Sequence, residues 1–335
     1  MNSNLFFLSD FYKRGGAVSF TAHLLYTIGS NQILRITKHK KRNGTGPFGY
    51  GLYYKIVQPS FFDQCNSLFV TDFFRYEHIL DKLRGRNVSI VIHDSGEISH
   101  ESAECLKEWK IICIRKAFKE YLKTTYDAEA EFLYHPFYPY ATENSSGSQL
   151  RNNILERNNE RNESVSISRI DHGKNTEVIV EANKILEAKS CDTIKIYGPY
   201  NPLYVQHFLG GEHNFSRYYQ GTFIKSFQAI SNILNRAKFV IDLSTLPNDG
   251  GGTQYTFLEA IHHGAALIIN RKWIENVSEE YRDFREGFNC FAVANAEELA
   301  TLISNAKSID TERIVENSRQ LMSRHINAPW SSVVC

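Results

Sequence analysis

Two kinds of hydrophobic pattern alternate along the chain. Short runs of β-branched and aromatic residues predict strands, and longer segments whose apolar residues recur every three or four positions predict helices. In the first part of the chain the strand-like runs are LFFLS, ILRIT, SLFVT, VSIVIHD, IICIR and AEFLYHP, and helix-like segments lie near residues 17–28, 73–84 and 116–125. This alternation predicts a mostly parallel sheet covered by helices.

A polar segment from Thr142 to Ser164, rich in Asn and Ser, interrupts the alternation and is typical of an interdomain linker. After it the strand-like runs are SVSISRI, TIKIYGP, FVIDLST, AALIIN and NCFAVA. Helices are expected from about residues 175, 225, 253 and 296, and again over about 310–326. The sequence therefore predicts two α/β domains, residues 1–143 and 164–308, a linker at 144–163, and a final segment, 309–335, whose helix packs back toward the first domain.

The length of 335 residues fits about two domains, and the composition, 42% hydrophobic and 22% charged, is that of an ordinary globular protein. A formal net charge of +1 argues against a surface that binds nucleic acid throughout, but KHKKR, Lys38 to Arg42, is a dense basic run. That run is either a solvated loop or a contact for phosphates or another anionic acceptor. The six cysteines show no metal-ligand spacing, and no apolar run is long enough for a membrane span or a signal peptide. We therefore expect reduced thiols and a cytoplasmic protein, in the host cytoplasm if the chain is viral.

The stretch SRIDHGKN, Ser168 to Asn175, places two cations in a predicted strand-to-helix loop. Such loops present unpaired backbone N–H groups and the positive end of the helix dipole, both of which favour an anion. Arg169 and Lys174 would add two fixed positive charges there. The expected ligand is a phosphate or a diphosphate, and the alternative is that both residues are ordinary surface charges.

A second group of candidate residues lies in NDGGGTQYTFLEAIHHGAALIIN, which begins at Asn248. Backbone that joins a strand to a helix through several glycines can approach a ligand closely and offer its amides. The candidates in this connection are Asp249, Gly250, Gly251, Gly252, Thr253 and Gln254. Glu259 lies in the following helix among apolar neighbours, so its carboxylate needs a partner, and a pair of sugar hydroxyls would serve. The alternative for Glu259 is a capping or helix-surface carboxylate.

The ordered motifs SRIDHGKN, IYGP, FVIDLS, GGGTQYTFLEAIHHGAALIIN and EGFNCFAVANAEELATLI resemble the donor half of a retaining GT-B glycosyltransferase of the family-4 type. The resemblance implies two Rossmann-like α/β domains that face each other across a cleft, with an N-terminal acceptor domain and a C-terminal domain for a nucleotide-sugar donor. A uridine diphosphate sugar is the family's commonest donor. The resemblance also implies that Arg169 and Lys174 clamp the donor diphosphate, and that Glu259 holds the nucleotide ribose.

One position departs from the family pattern. The family usually has another glutamate eight residues before the ribose glutamate, and here that position is Gly251, with Asp249 as the candidate replacement. No cofactor is implied beyond the nucleotide sugar as substrate, and no metal motif is present, since the chain contains no D-x-D.

The first half resembles the family more loosely. Gly15 and Gly16, ahead of a predicted helix, are similar to the family's N-terminal glycine loop, which faces the donor phosphates and the acceptor. His93 and Asp94 fall where the family commonly places a His or His-Asp pair near the reacting sugar. The resemblance therefore makes His93 and Asp94 catalytic candidates beside Arg169 and Lys174, with retention of the anomeric configuration.

The acceptor is suggested by a narrower resemblance. The compact first half, the QYTFLEA sequence and the His-Asp pair are similar to the α-glucosyltransferases that T-even-type phages use on hydroxymethylated pyrimidines in their DNA. Double-stranded DNA would then be a partner, with an aromatic loop, PFGYGLYY, stacking on an extruded base. The candidate phosphate contacts are Lys38, Lys40, Lys41, Arg42 and Arg75. The alternatives are a glycan, protein or lipid-carrier acceptor, or a non-catalytic nucleotide-sugar binding protein, and the oligomeric state is left open.

Two other patterns are discounted. GTGPFG, Gly44 to Gly49, formally matches a dinucleotide-binding fingerprint, but it follows KHKKRN rather than a strand, contains Pro47 and opens no helix. We expect a mobile loop there. A Rossmann oxidoreductase would need a glycine fingerprint after the first strand and an acidic residue about 20 residues further on, and neither is convincingly present. The adjacent His262 and His263 point about 100° apart on a helix and are poor joint ligands for one metal.

Overall fold

The computed structural model describes residues 5–9, 16–30, 33–36, 44–58, 60–61, 67–71, 84–98, 103–104, 106–141, 161–245 and 252–334. These residues form two compact units. The N-terminal unit holds the described residues within Met1–Tyr138 and Arg324–Cys335, together with Gly252. The C-terminal unit holds those within Pro139–Asn248 and Thr253–Ser323.

The N-terminal unit is built on an eight-stranded sheet. Its strands are β1 (Leu5–Ser9), β2 (Ile33–Ile36), β3 (Gly44–Gly49), β4 (Leu52–Val57), β5 (Ser67–Thr71), β6 (Asn87–Ile92), β7 (Lys110–Cys113) and β8 (Ala130–Phe132). The spatial order is β3-β4-β2-β1-β5-β6-β7-β8, and every pair is parallel except β3 with β4. Helices α1 (Gly16–Ile28) and α2 (Lys116–Tyr126) and the 3-10 turns Ser95–Glu97 and Leu106–Glu108 lie between the strands in sequence.

The C-terminal unit is built on a six-stranded sheet in which every pair is parallel. Its strands are β9 (Glu163–Ile167), β10 (Lys195–Tyr197), β11 (Tyr219–Gly221), β12 (Ala237–Asp242), β13 (Ala266–Asn270) and β14 (Phe291–Val293). The helices between them in sequence are α3 (Thr176–Ala188), α4 (Pro202–Phe208), α5 (Glu212–Ser216), α6 (Phe227–Leu234), α7 (Tyr255–His262) and α8 (Lys272–Glu275), and a 3-10 turn covers Glu279–Tyr281. Helix α9 (Ala296–Ser304) follows β14. Helix α10 (Glu312–Ile326) and helix α11 (Trp330–Val334) follow.

The central strands β12 and β13 of the C-terminal sheet are buried on both faces, as continuous apolar runs predict. Phe239, Ile241 and Ile268 have no exposed surface, and they pack in one cluster with Leu186 of α3 and Leu299 of α9. The spatial order is β11-β10-β9-β12-β13-β14, so the strand order changes direction between β9 and β12. Such a switch point is where open parallel sheets bind ligands, at the carboxyl ends of their strands.

The last residues of the chain pack on the N-terminal unit. The Trp330 side chain is fully buried, its Nε1 donates to the Tyr134 carbonyl oxygen at 2.8 Å, and its ring lies edge-on to Phe20. His325 Nδ1 also donates to the carbonyl oxygen of His135, at 3.1 Å. These contacts fix the end of α10 and all of α11 to this unit.

Most of the predicted strands and helices are present, and two parallel-sheet α/β units confirm the predicted fold class. The prediction of a mobile loop at GTGPFG is wrong, because Gly44–Gly49 forms β3 and pairs antiparallel with β4. Tyr50 and Gly51, both at positive φ (54° and 77°), make the two-residue turn between them. The predicted helix near 73–84 lies almost wholly outside the described residues, as does residue range 142–160, so the linker and the domain boundaries stay predictions.

Candidate active site

The loop from Ser168 to Asn175 connects β9 to α3 and carries Arg169 and Lys174. It is anchored to the loop after β12, because the Thr245 N–H donates to the Gly173 carbonyl at 3.0 Å. The Asn175 side chain adds a second anchor by donating to the Leu243 carbonyl at 2.7 Å. The loop therefore lies at the switch point of the C-terminal sheet, and the anion site that the sequence predicts in this strand-to-helix loop stays a prediction.

A glycine allows this loop to lie directly on the next one. Gly198, which follows β10, has a φ of +137°, and a Cβ there would come within 1.8 Å of the Ser168 carbonyl oxygen. The same two segments are joined by the Ser168 N–H, which donates to the Tyr197 carbonyl at 3.2 Å. Only glycine combines this φ with this approach, so the backbone that carries Arg169 is held in one place.

Asp171 lies between the two cations in sequence and is held as an anion. Burial acts to raise the pKa of Asp171, but a hydrogen bond from the His172 amide, another from Asn201 and the charge of Arg169 together lower it. The His172 N–H and the Asn201 Nδ2 both donate to Asp171 Oδ1, at 2.8 and 3.1 Å. The Asp171 carboxylate thus stabilises the loop that carries Arg169 by linking it to His172 and Asn201.

Lys174 is the first member of a chain of hydrogen bonds that crosses the switch point. Lys174 Nζ donates to Gln254 Oε1 at 3.2 Å, and Gln254 Nε2 donates to Ser244 Oγ at 2.6 Å. Ser244 Oγ donates to Asp242 Oδ1 at 2.5 Å, and the Ser244 backbone N–H donates to the same oxygen at 3.0 Å. We call Lys174, Gln254, Ser244 and Asp242 the polar chain. Sequence reasoning identified its first two members and missed Ser244 and Asp242.

Glu259 of α7 is buried, with 4% of its surface exposed, as its apolar neighbours predict. Its partner is the Tyr140 hydroxyl, which donates to Glu259 Oε2. Tyr140 is itself fixed by stacking on Phe227, with 4.2 Å between the ring centroids, and by His262 Nε2, which donates to its carbonyl oxygen at 3.0 Å. Tyr140 is 119 positions from Glu259 in sequence, and no local pattern pointed to it.

His263, four residues after Glu259, is held as a neutral imidazole. Burial lowers its pKa to about 4, against the opposing effect of Glu259. Its Nδ1 donates to the Glu259 carbonyl at 2.8 Å and its Nε2 accepts from Ser231 Oγ at 3.0 Å. Both ring nitrogens are therefore used in holding the helix, and His263 has a structural role.

Lys225, just before α6, is a further cation that sequence reasoning missed. Burial lowers its pKa to about 8; the charge of Glu259 opposes this shift, and the charges of Arg169 and Lys174 add to it. The charges of Glu259, Arg169 and Lys174 therefore all act on Lys225. At neutral pH most Lys225 side chains remain charged, so the local charge is positive and suits an anionic ligand.

Parts of the glycine-rich connection can be placed. Gly252 has a φ of +122°, and a Cβ there would lie 3.2 Å from Arg115 Cγ within the N-terminal unit. Thr253 is 2% exposed, and its hydroxyl donates to the Gln254 carbonyl at 3.4 Å. Gly16 is the exposed first residue of α1. Gly15, Asp249, Gly250 and Gly251 lie outside the described residues, so their assignment to donor binding stays a prediction.

His93 follows β6 in the N-terminal unit. Burial, and then the charge of Arg115, lower its pKa to about 3, so the imidazole is neutral at neutral pH. Its ring packs edge-on to Phe20 with 4.8 Å between centroids, and its backbone N–H donates to Glu97 Oε2 at 3.0 Å. Its Nε2 is buried and has no hydrogen-bond partner among the residues that the structure describes.

Asp94 has a local structural role. Its Oδ1 accepts from the Gly96 N–H at 2.9 Å and caps the turn Ser95–Glu97, while the residue stays exposed. A carboxylate used in this way has lone pairs to spare, so the capping bond is compatible with a second partner.

The aromatic loop predicted to stack on a base is instead part of the β3–β4 hairpin. Phe48 and Tyr50 are 2% and 4% exposed, and Ser19 Oγ and the Tyr50 hydroxyl lie 2.9 Å apart. Tyr53 alone among the large hydrophobic side chains of this described hairpin is strongly exposed, at 66%. The proposed phosphate contacts Lys38, Lys40, Lys41, Arg42 and Arg75 lie outside the described residues.

Within the described ranges, no group of three or more His, Cys, Asp or Glu side chains is arranged to hold a metal ion. In the same ranges, no helix combines the length and the apolar character that crossing a membrane requires.

Comparison with known proteins gives the fold. No protein-family model matches the sequence, and no curated protein matches it. Among solved structures, HepE of Anabaena in complex with UDP matches with a TM-score of 0.68 at 14% identity, over 99% of this chain and 97% of that one. An α-glucosyltransferase in complex with UDP-glucose and DNA containing an abasic site matches with a TM-score of 0.62 at 11% identity, over 96% of this chain and 95% of that one. A glycosyltransferase from Rickettsia africae matches with a TM-score of 0.64 at 13% identity, over 100% and 96%. The chain therefore has the two-unit α/β fold of GT-B glycosyltransferases, while its assignment to the family-4 type stays a prediction.

Proposed function

We propose that this protein is a glycosyltransferase that binds a nucleoside diphosphate sugar at the switch point of its C-terminal unit and transfers the sugar to a hydroxyl group. The observation that carries the proposal is the group of Arg169, Lys174 and Lys225 with the buried Glu259 at that switch point. Three cations match a diphosphate, and a carboxylate among them matches the ribose hydroxyls. Proteins of the same fold have been solved with UDP and with UDP-glucose.

Arg169 and Lys174 have the main chemical task in this proposal. As the bond between the anomeric carbon and the diphosphate oxygen breaks, negative charge grows on the leaving diphosphate. Fixed positive charges stabilise that charge without reorganisation at the moment of reaction. Lys225 adds a third charge that weakens as the pH rises past its pKa of about 8.

We propose that the configuration of the sugar is retained. The acceptor hydroxyl attacks the anomeric carbon on the face from which the diphosphate leaves, and a diphosphate oxygen takes the hydroxyl proton. One carbon–oxygen bond breaks, one forms, and the products are the glycoside and the nucleoside diphosphate. His93, neutral and with Nε2 lacking a partner among the described residues, is proposed to hydrogen-bond a sugar or acceptor hydroxyl, with Asp94 beside it.

The acceptor we favour is a hydroxymethylated pyrimidine in double-stranded DNA. Support comes from the similarity over nearly the whole chain to an α-glucosyltransferase solved with UDP-glucose and DNA. The KHKKR run and Arg75 would supply the phosphate contacts. Of the aromatic side chains first proposed for stacking, the exposed Tyr53 remains available.

The test is intact-mass analysis of acceptors after incubation with a panel of nucleotide sugars. Duplexes with hydroxymethylcytosine, hydroxymethyluracil or unmodified bases are compared. A sugar-sized gain on a hydroxymethylated duplex alone supports both donor and acceptor. Hydrolysis of a nucleotide sugar without any gain on DNA supports the enzyme and overturns the DNA acceptor. Binding of UDP with neither transfer nor hydrolysis favours the non-catalytic binding protein instead.

A further inference from the structure

The polar chain at the switch point of the C-terminal sheet ends on a buried carboxylate that the proposed reaction does not use. We propose that Asp242 is a positioning residue that orients the Lys174 ammonium through Ser244 and Gln254. The inference rests on the proposed function of Lys174 in holding the donor diphosphate. In this inference Asp242 and Ser244 act on the donor site through other residues and do not contact the ligand.

The direction of every hydrogen bond in the polar chain is fixed by chemistry. An ammonium group can only donate, so Lys174 Nζ donates to Gln254 and requires its amide oxygen there. The Gln254 amide nitrogen must then face Ser244 Oγ, at 2.6 Å, and the Ser244 hydroxyl proton is free to go to Asp242 Oδ1. An ionised carboxylate can only accept, so the sequence of bonds runs one way from cation to anion.

The Gln254 side chain makes its hydrogen bonds within the polar chain and does not cap its own helix. It is the N-cap residue of α7, a position from which polar side chains commonly bond to the first helical amides, yet its side chain makes no capping bond. Its amide oxygen and nitrogen are used on Lys174 and Ser244 instead.

Ser244 transmits the position of Asp242 because it is held on several sides. The residue is fully buried, and its carbonyl oxygen accepts from Trp273 Nε1 at 2.5 Å. The next residue, Thr245, donates its N–H to Gly173 beside Lys174, at 3.0 Å. The loops after β9 and β12 are therefore joined by backbone as well as by the polar chain.

Asp242 is 2% exposed, and burial of an ionised carboxylate is costly unless it is well paired. Its Oδ1 accepts from both the amide and the hydroxyl of Ser244, whereas its Oδ2 is buried without a hydrogen-bond partner in the described part of the chain. Its hydrogen bonds thus all converge on Ser244, which turns the hydroxyl proton toward Asp242 and leaves the oxygen lone pairs for Gln254. Bonds in such a chain polarise one another and strengthen the last link, at Lys174.

Without the carboxylate charge, the hydrogen bonds of the polar chain would no longer all point in one direction. With Asp242→Asn the new side-chain amide can donate to Ser244 Oγ, and the Ser244 hydroxyl proton can then turn toward Gln254 and compete with the Lys174 ammonium for the Gln254 amide oxygen. The lysine would point away from the diphosphate for part of the time. We expect UDP to bind about fivefold more weakly, while the fold and the distant surface stay unchanged.

The test is a double-mutant cycle on UDP affinity, measured by isothermal titration calorimetry with the full chain. Asp242→Asn is expected to weaken UDP binding about fivefold in the wild-type background and by less than about twofold in Lys174→Met. Gln254→Leu, at the half-buried middle link, is expected to abolish the effect of Asp242→Asn in the same way. Asp310→Asn, an exposed carboxylate of the same unit that caps α10, serves as the control and is expected to leave UDP affinity unchanged.

The outcomes separate the two levels of the proposal. Equal weakening by Asp242→Asn in the wild-type and Lys174→Met backgrounds overturns the positioning role, because the carboxylate would then act independently of the lysine. If Asp242→Asn fails to fold, the cycle of Gln254→Leu with Lys174→Met replaces it, and additive effects there overturn the link. If the folded wild-type protein binds none of UDP, GDP and ADP, the donor-site assignment fails, and this inference fails with it.

Discussion

Two clusters of polar groups, one in each unit, are built in different ways. In the C-terminal unit, charged side chains at the switch point are tied into hydrogen-bonded connections that reach buried carboxylates, as in the polar chain and the Tyr140–Glu259 pair. In the N-terminal unit, His93, His135 and His325 lie among aromatic rings, and burial is the main cause that lowers the pKa of each. The switch-point cluster is thus built around fixed charges, and the His93–His135–His325 cluster is built around neutral imidazoles.

The difference suits two kinds of ligand. A diphosphate brings negative charge, and fixed cations stabilise it best when their positions do not depend on the ligand. A sugar or an acceptor hydroxyl brings no charge, and a neutral imidazole can hydrogen-bond it without the desolvation cost that an ion would add. Under the proposed function, the leaving group would belong to the C-terminal unit and the reacting hydroxyls to the N-terminal unit, and the predictions below test that division.

The largest effect is expected from the cations of the C-terminal unit. Arg169→Ala and Lys174→Ala should each lower kcat/KM about 100- to 1000-fold, as the loss of one preorganised donor costs roughly 2.7–4 kcal/mol. UDP affinity should fall in both. Steady-state kinetics and calorimetry measure the two effects.

Arg217→Ala is the matched control for these variants, since Arg217 is an exposed arginine of the same unit that pairs with Glu187 at 2.9 Å. Exposed ion pairs contribute little, so Arg217→Ala should leave the kinetics unchanged. A change of less than about threefold in both Arg169→Ala and Lys174→Ala would contradict the division between the units.

Glu259→Gln should raise the donor KM about 10- to 100-fold, because hydrogen bonds to a charged acceptor contribute about 1.5–3 kcal/mol. The measurement that isolates the ribose compares UDP with 2′,3′-dideoxy-UDP. The wild-type protein should prefer UDP, and Glu259→Gln should show little preference. Glu187→Gln, a carboxylate of the same unit that bonds Tyr218 and Arg217, is the control. An unchanged preference in Glu259→Gln would end the ribose assignment.

The fold and the position of the loop that carries Arg169 and Lys174 were predictable because their signals are local. Buried parallel strands are continuous apolar runs, and the strands FVID and ALIIN were therefore found close to their true bounds. Arg169 and Lys174 share one short loop, so their joint position follows once that loop is placed between a strand and a helix. The β3–β4 hairpin was missed because its glycines and Pro47 are atypical of strands.

The partners of those motif residues were not predictable. Asp242 ends an apolar strand and is conspicuous there, but its link to Lys174 passes through Gln254, 80 positions from that lysine. Tyr140 reaches Glu259 from another part of the unit, and Lys225 lies in a loop without a pattern. Such contacts depend on how strands are ordered in the sheet, and a single sequence does not give that order.

Acid is expected to affect the N-terminal unit more than the C-terminal unit. A histidine whose folded pKa is about 3 binds a proton in the unfolded chain near pH 6.5 and in the folded chain only near pH 3. Unfolding therefore takes up protons in this window, and stability falls as the pH is lowered, by about 1.4 kcal/mol per pH unit and histidine. In its described part the N-terminal unit has three histidines whose pKa is lowered by burial, His93, His135 and His325, and the C-terminal unit has one, His263.

Hydrogen exchange between pH 7 and pH 5, corrected for the intrinsic rate, measures this difference segment by segment. Amides of β6 and of the end of α10 should lose more protection than amides of β12 and β13. Equal losses in the two units would show that the buried histidines do not set the acid sensitivity. His325→Phe should reduce the loss in the N-terminal unit if the variant folds.

The smallest effect is expected from Tyr140→Phe, which removes the hydroxyl that donates to Glu259 and keeps the ring stacked on Phe227. A carboxylate offers about four lone-pair sites, so Glu259 can accept from Tyr140 and from the ribose together. The tyrosine hydroxyl then orients the carboxylate, and its loss should weaken UDP binding by about three- to tenfold, in line with the ~0.5–1.5 kcal/mol of an ordinary hydrogen bond. Calorimetry on the variant decides between orientation and competition. Tighter UDP binding would mean that the Tyr140 hydroxyl competes with the ribose for Glu259. The donor would then have to displace this hydroxyl before it binds, whereas the polar chain is proposed to hold Lys174 ready for the diphosphate.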